Sequence, residues 1–210
     1  MQVTNSCSWI WKAILKQRDA LLQIQGWEHM KGRMITRRVY QVLKVDYPSV
    51  DWKVTMYQNF ARPRAIFTFW LACHGRLATK DRLRKFGMNV EATCCFCNHE
   101  ESIDHLFFRC NSMKVIWQKV LHWMHIDRTP LEWHDELCWI TRHSKGKGWR
   151  AQLLKVAAAE TIYMLWKYRN DTCFDNQVQD RNIDADIINT IVYRGWGHTK
   201  LRKHIAVLLI

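Results

Sequence analysis

Apolar positions recur along most of the chain at intervals of three and four, the repeat of a helix with one buried face. The clearest case is SMKVIWQKVLHWM (112–124), where Met113, Ile116, Trp117, Val120, Leu121 and Met124 form one stripe behind Ser112, a good N-cap. That stripe predicts a core face. SWIWKAILKQRDALLQI (8–24) sets Trp11, Ile14, Leu15, Leu21 and Leu22 at similar spacing, between Ser8 as cap and Gly26 as stop. GRMITRRVYQVL (32–43) reads as a short extended piece followed by a helix, with Pro48 ending the unit. A further helix through Trp52, Val54, Met56 and Tyr57 starts at Ser49 or Asp51.

Two segments are apolar on more than one side. Pro63 opens RAIFTFWLACHG, whose Ile66, Phe67, Phe69, Trp70 and Leu71 predict a helix buried nearly all round and stopped by Gly75. AQLLKVAAAETIYMLWKYRN (151–170) is alanine-rich and predicts a long helix that packs closely on several sides. Between them, Thr79 caps KDRLRKFG (80–87), stopped by Gly87, and Pro130 begins a helix through LEWHDELCWI, with Leu131, Leu137, Cys138 and Ile140 apolar. The Ser/Gly/Lys-rich stretch 143–150 is the candidate linker. Asp180 or Asn182 starts IDADIINTIVYRGW, and the tail GHTKLRKHIAVLLI is basic, then apolar.

One stretch breaks the helical pattern. CCFCNHEESIDHLFFRC (94–110) holds Cys94 and Cys97 as a C-x2-C pair, then His105 and Cys110. Two thiolates at that spacing grip one ion from a tight turn, and a histidine and a cysteine on a following helical turn close a tetrahedron. Cys94, Cys97, His105 and Cys110 are therefore the candidate ligands of one structural Zn2+, with no open position for chemistry. Cys95 and His99 lie within the cluster as alternative ligands, although C-x-C bites less well and His99 sits in a polar loop. Glu100 and Glu101 read as loop solvators. The fold class that follows is mainly α: a helical domain around a small zinc knuckle, with room for one short β element beside the metal.

Composition sharpens this picture. No run of eighteen apolar residues occurs, so no membrane span is expected. The N-terminus lacks a secretory pattern, so eight cysteines point to metal ligands and buried thiols in a reducing compartment, nuclear or cytoplasmic, rather than to disulfides. A formal net charge of +13 favours nucleic acid as partner. The cations cluster: Lys31, Arg33, Arg37 and Arg38; then Arg76, Lys80, Arg82, Arg84 and Lys85; then Arg142, Lys145, Lys147 and Arg150. The middle and last groups are the candidate phosphate contacts. Phe86, Phe96 and Trp149 are candidate stacking residues, with core packing as the commoner role of such aromatics. No phosphate loop, nucleophile elbow, H-E-x-x-H or adjacent aspartate pair is present, so no enzyme is expected. Asp180, Asp184 and Asp186 read as helix N-terminal charges.

Taken together, Trp52-Lys53, Pro63 to Leu71, Arg76-Leu77, Thr79, Arg82-Leu83, Cys94, Cys97, Glu101-Ser102, His105 to Phe108, Cys110 and Trp117 follow a known order. The chain resembles the zinc-binding domain at the C-terminal end of plant LINE-type (non-LTR) reverse transcriptases. Gly32, Arg33 and Tyr40 upstream fit as well, and WKYRND (166–171) resembles an element that often follows that domain. The resemblance covers about residues 30–125 and implies the same four ligands. It frames three parts: an N-terminal helix (1–29), the reverse transcriptase zinc-binding domain (30–125) and a C-terminal helical extension (126–210). It also implies a domain that helps a polymerase hold RNA or DNA, here detached from the polymerase or derived from such an element. The expected function is a zinc-stabilised, non-catalytic nucleic-acid-binding module. A protein–protein adaptor that keeps the fold is the alternative.

Overall fold

The structure is a computed structural model that describes Tyr40 and residues 48–174 and 182–208. The helices expected over 8–24 and 32–43, the cations Lys31, Arg33, Arg37 and Arg38, and Asp180 lie outside the described residues. The chain divides into two compact units, Met1–Ser49 and Val50–Ile210. The second holds eight α-helices among the described residues: α1 (Lys53–Met56), α2 (Pro63–Cys73), α3 (Lys80–Lys85), α4 (Asn111–Trp123), α5 (Trp133–His143), α6 (Trp149–Phe174), α7 (Ile183–Trp196) and α8 (Thr199–Leu208). A π turn, His105–Arg109, precedes α4. No strand forms among the described residues; the expected β element is a single antiparallel bridge between Thr93 and Glu100.

The long helix α6 is the scaffold. Residues 151–162 are buried without interruption, including Ala157, Ala158 and Ala159. Small side chains on several faces let α2 and α7 approach its backbone closely, and these are its most extensive neighbours. The stripe expected on α4 is the buried one: Met113, Ile116, Trp117, Val120 and Leu121. The core runs without a break from Ala61 to Ile205.

α6 also carries three buried charged side chains, each holding a loop that apolar contact alone would leave with unpaired backbone groups. Lys155 Nζ donates to the Tyr57 carbonyl (3.1 Å), and the Lys155 carbonyl accepts from Asn59 (2.9 Å). The Glu160 carboxylate accepts from the Arg62 backbone N–H (2.8 Å) and from its guanidinium (2.8 and 2.6 Å). Glu160 thus places negative charge at the start of α2, where the helix dipole favours it. Arg169 reaches the knuckle, as described below.

Several local expectations shift. α2 buries Ala65, Thr68, Phe69 and Ala72, but Phe67 is 58% exposed, because its neighbours cover one side only. α5 begins at Trp133 rather than at Pro130. Buried Glu136 accepts from the Leu131 N–H (2.9 Å), Trp117 Nε1 (2.8 Å) and Arg128 (2.5 Å), and so holds the preceding link out of the helix. Cys138 is exposed on α5. Gly75 (φ +62°) and Gly87 (φ +80°) do stop α2 and α3, in a backbone region where a side chain would be strained. No described helix is long and apolar enough to cross a membrane.

Candidate metal centre

The four ligand candidates reach one point from two short devices. The first is a turn clamped at its base: Cys94 N–H donates to the His99 carbonyl (2.8 Å) and Glu101 N–H to the Ala92 carbonyl (2.9 Å). This turn presents Cys94 and Cys97. The second is the π turn. His105 N–H is capped by Ser102 Oγ (3.1 Å), and Cys110 N–H returns to the His105 carbonyl (2.6 Å), five residues back. An α-helix, at 3.6 residues per turn, would swing Cys110 about 140° away from His105. Widening to an i→i+5 turn returns the two to one side. Leu106, Phe107 and Phe108, all buried, anchor that turn in the core. Cys110 then serves as the N-cap residue of α4, so the helix starts at Asn111 and Ser112 is inside it.

The ligand atoms of Cys94, Cys97, His105 and Cys110 all lie within 4.8 Å of one another. Cys97 Sγ is 3.0 Å from His105 Nε2 and 3.9 Å from Cys110 Sγ. A tetrahedral zinc, with Zn–S near 2.3 Å, sets its sulfurs about 3.8 Å apart. Three sulfurs and one imidazole at this spacing fit zinc and leave no coordination position for water. Cys94 and Cys110 are buried; Cys97 and His105 are half-buried. Hydrogen bonding, first from the Cys110 thiol and then from Cys95, pulls Cys94 far below the ordinary thiol range. Cys110 is pushed up, first by its bond to Cys94. Three thiolates held this close repel one another, and a cation bound among them would offset that repulsion.

His99 stands outside this set, with its ring stacked 5.6 Å from that of His105. Cys95 turns instead toward Glu101 and Cys173, whose ligand atoms form a second group within 4.8 Å. Both Glu101 oxygens are already taken by Arg169: Nε donates to one (3.0 Å) and the terminal nitrogen to the other (2.5 Å). That group pairs two sulfurs with a carboxylate whose charge Arg169 already offsets.

Glu101 was expected to be a loop solvator. It is fully buried, as is Arg169 at 2% exposure. Burial works against the Arg169 charge, and the Glu101 carboxylate more than offsets it, raising the Arg169 pKa. Glu101 also accepts from the Lys80 N–H (2.9 Å), while its carbonyl accepts from Asp81 N–H (3.2 Å). One carboxylate thus ties the clamped turn, the start of α3 and the C-terminal part of α6. The available signal was the pair of elements in the family resemblance, Glu101-Ser102 and Arg169-Asn170, which spacing alone did not connect. Phe96 stacks on Tyr168 (5.2 Å) and closes the same contact, so it packs rather than offering a free face.

The cations of the middle cluster share one neighbourhood but are largely engaged. Lys80 Nζ donates to the Thr93 carbonyl (2.6 Å) and Arg82 to the Gly75 carbonyl (2.6 Å). Arg84 is 3.8 Å from Glu100 and Lys85 3.5 Å from Asp81. Arg76 is exposed, its guanidinium 5.9 Å from the Trp70 ring centre. Thr79 donates to Asp81 (2.5 Å) and makes no cap bond to the backbone; the Glu101 carboxylate takes that role. By contrast, Arg142, Lys145, Lys147 and Arg150 are exposed around the α5–α6 connection, and among the described residues they form no ion pair. Asp184 and Asp186 lie in the first turn of α7, with Asp184 3.0 Å from Lys119, in line with a helix-terminal role.

A family model described as zinc-binding in reverse transcriptase matches residues 34–117, a stretch that contains all four clustered ligands. No curated protein and no solved structure matches the chain.

Proposed function

We propose that this chain is a zinc-stabilised, non-catalytic module that binds nucleic acid through its exposed cations. The observation that carries the first half is the convergence of Cys94, Cys97, His105 and Cys110 within 4.8 Å, inside the segment matched by the reverse transcriptase zinc-binding family. One Zn2+ per chain fills that set as a staple. The second half is supported by the +13 charge and by Arg142, Lys145, Lys147 and Arg150, exposed on one connection without a carboxylate partner among the described residues. Arg76, Lys80, Arg82, Arg84 and Lys85 form a second, weaker contact surface, since most of them already serve local bonds. The order of motifs supports an origin in a plant LINE-type element, and the eight cysteines, read as metal ligands and buried thiols, support a nuclear or cytoplasmic setting.

The test is fluorescence anisotropy with labelled RNA and DNA over a salt series, beside a metal assay. Binding should weaken steeply with salt. Neutralising Lys145, Lys147 and Arg150 together should flatten the log–log slope by about 2, at roughly 0.7 per lost phosphate contact on a single strand. Binding indifferent to salt and to this triple substitution would leave the adaptor reading in its place.

A further inference from the structure

A cleft of about 370 Å³ opens where the Met124–Arg128 segment meets the end of α5 and the start of α6. Its size falls within the range of small-ligand pockets. Two tryptophans line it, and each is already covered by a planar, cationic or imidazole group. The Arg128 guanidinium lies 4.1 Å from the centre of Trp139, and the His143 ring stacks on the same indole at 4.5 Å. The His204 ring lies parallel to Trp149 at 4.3 Å, and the Arg150 guanidinium sits 5.2 Å from that indole. Arg128 is fixed by buried Glu136 (2.5 Å) and is a permanent wall. His143 and Arg150 are exposed covers; His143 Nδ1 lies 2.9 Å from the Trp139 carbonyl, while Arg150 has no carboxylate partner among the described residues. The one carboxylate in the lining, Asp127, lies 3.0 Å from His122 Nδ1. Beneath the rings the floor is apolar, with Leu153 and Leu154 buried.

We propose that this cleft seats an unstacked nucleobase of a single-stranded nucleic acid, with the flanking phosphates held by Arg142, Lys145, Lys147 and Arg150. The proposal rests on the nucleic-acid reading above and adds to it a site and a strand preference. Indole faces stack on any base and an arginine plane can stack on its edge, so the site tolerates sequence. A base inside a duplex is stacked on its neighbours and cannot enter a concave space of this size. The cationic connection serves both kinds of strand, because phosphate contacts do not require an exposed base.

The experiment compares a labelled oligothymidylate with a labelled duplex of the same length, using the full chain. Trp149→Ala should weaken oligothymidylate binding about five- to a hundred-fold, the cost of one lost base stack, and leave duplex binding near that of the parent. Duplex binding doubles as a check on the fold. If Trp149→Ala loses both, the exposed double substitution His143→Ala with Arg150→Gln decides: it frees the indole faces for a base and removes a phosphate contact common to both ligands, so it should weaken duplex more than oligothymidylate. Equal losses for the two ligands in that variant, or no loss in either variant, overturn the cleft while leaving the nucleic-acid reading standing. Absence of binding to both ligands by the parent chain overturns both. Tryptophan quenching by an oligoglutamate peptide, and not by oligothymidylate, would assign the cleft to an acidic protein segment and overturn the proposal.

Discussion

The turn-and-π-turn unit over 94–110 and the helix α6 are ordered by different physics. In the first, an irregular backbone brings sulfur and imidazole into a cluster spaced to hold a cation. In the second, a regular backbone is buried along twelve consecutive residues, 151–162, and is held by close packing. A metal site is all or none, because losing one ligand removes the tetrahedron. A packed helix fails by degrees, because each side chain contributes its own small share. Glu101 and Arg169 join the two, so the difference can be probed from either end and from the middle.

The largest effect is expected at the metal. Structural zinc supplies on the order of 10 kcal/mol in small knuckles, as much as the whole stability of an ordinary domain. Cys97→Ser, or chelation shown by metal assay to be complete, should therefore abolish the cooperative thermal transition of the unit. Hydrogen exchange should locate the earliest loss of protection at 94–110. A melting temperature unchanged after verified metal removal would show that packing alone holds the knuckle.

Next comes the join. Arg169→Ala leaves the Glu101 carboxylate buried without its partner, a change that costs about 3–5 kcal/mol in comparable pairs. Denaturant titration measures it. Replacing both partners, Glu101→Gln with Arg169→Met, should recover a large part of the loss, since apolar or neutral groups avoid the buried charge. A double variant no better than Arg169→Ala would mean that the hydrogen bonds from Lys80 N–H and Arg169, not the charge balance, are what the site needs. The exposed pair Arg84–Glu100 provides the contrast within the same neighbourhood: 3.8 Å apart and in water, it should matter little.

How much of this was legible in the sequence follows the same division. The convergence of Cys94, Cys97, His105 and Cys110 could be read because C-x2-C and a following His and Cys are local spacings suited to one ion. Their five-residue separation, one too many for successive turns of an α-helix, was the trace of the π turn at His105–Arg109. The long helix could be read from its alanines. Glu101 could not, because its partner lies 68 residues away and a Glu in a polar run looks the same whether it faces water or an arginine. Phe67 failed for a related reason: periodicity tells which sides of α2 are apolar, but not how many neighbours arrive to cover them. Glu160 and Lys155, charged residues inside an alanine-rich helix, were visible as anomalies whose partners only the fold supplies.

The smallest effect belongs to the packed helix itself. Ala158 is 1% exposed on α6. Ala158→Leu inserts three carbons where neighbouring helices approach closely, and overpacking of this kind costs about 1–3 kcal/mol. Because the strain is spread over side chains that can each shift slightly, the variant should still melt cooperatively, at a lower temperature, and still hold its zinc. Metal content at parent level together with a lowered midpoint in denaturant is the expected pair of results. If Ala158→Leu instead releases zinc, strain travels through Arg169 and Glu101 to the ligands, and the two regions form one cooperative device rather than two that are merely joined.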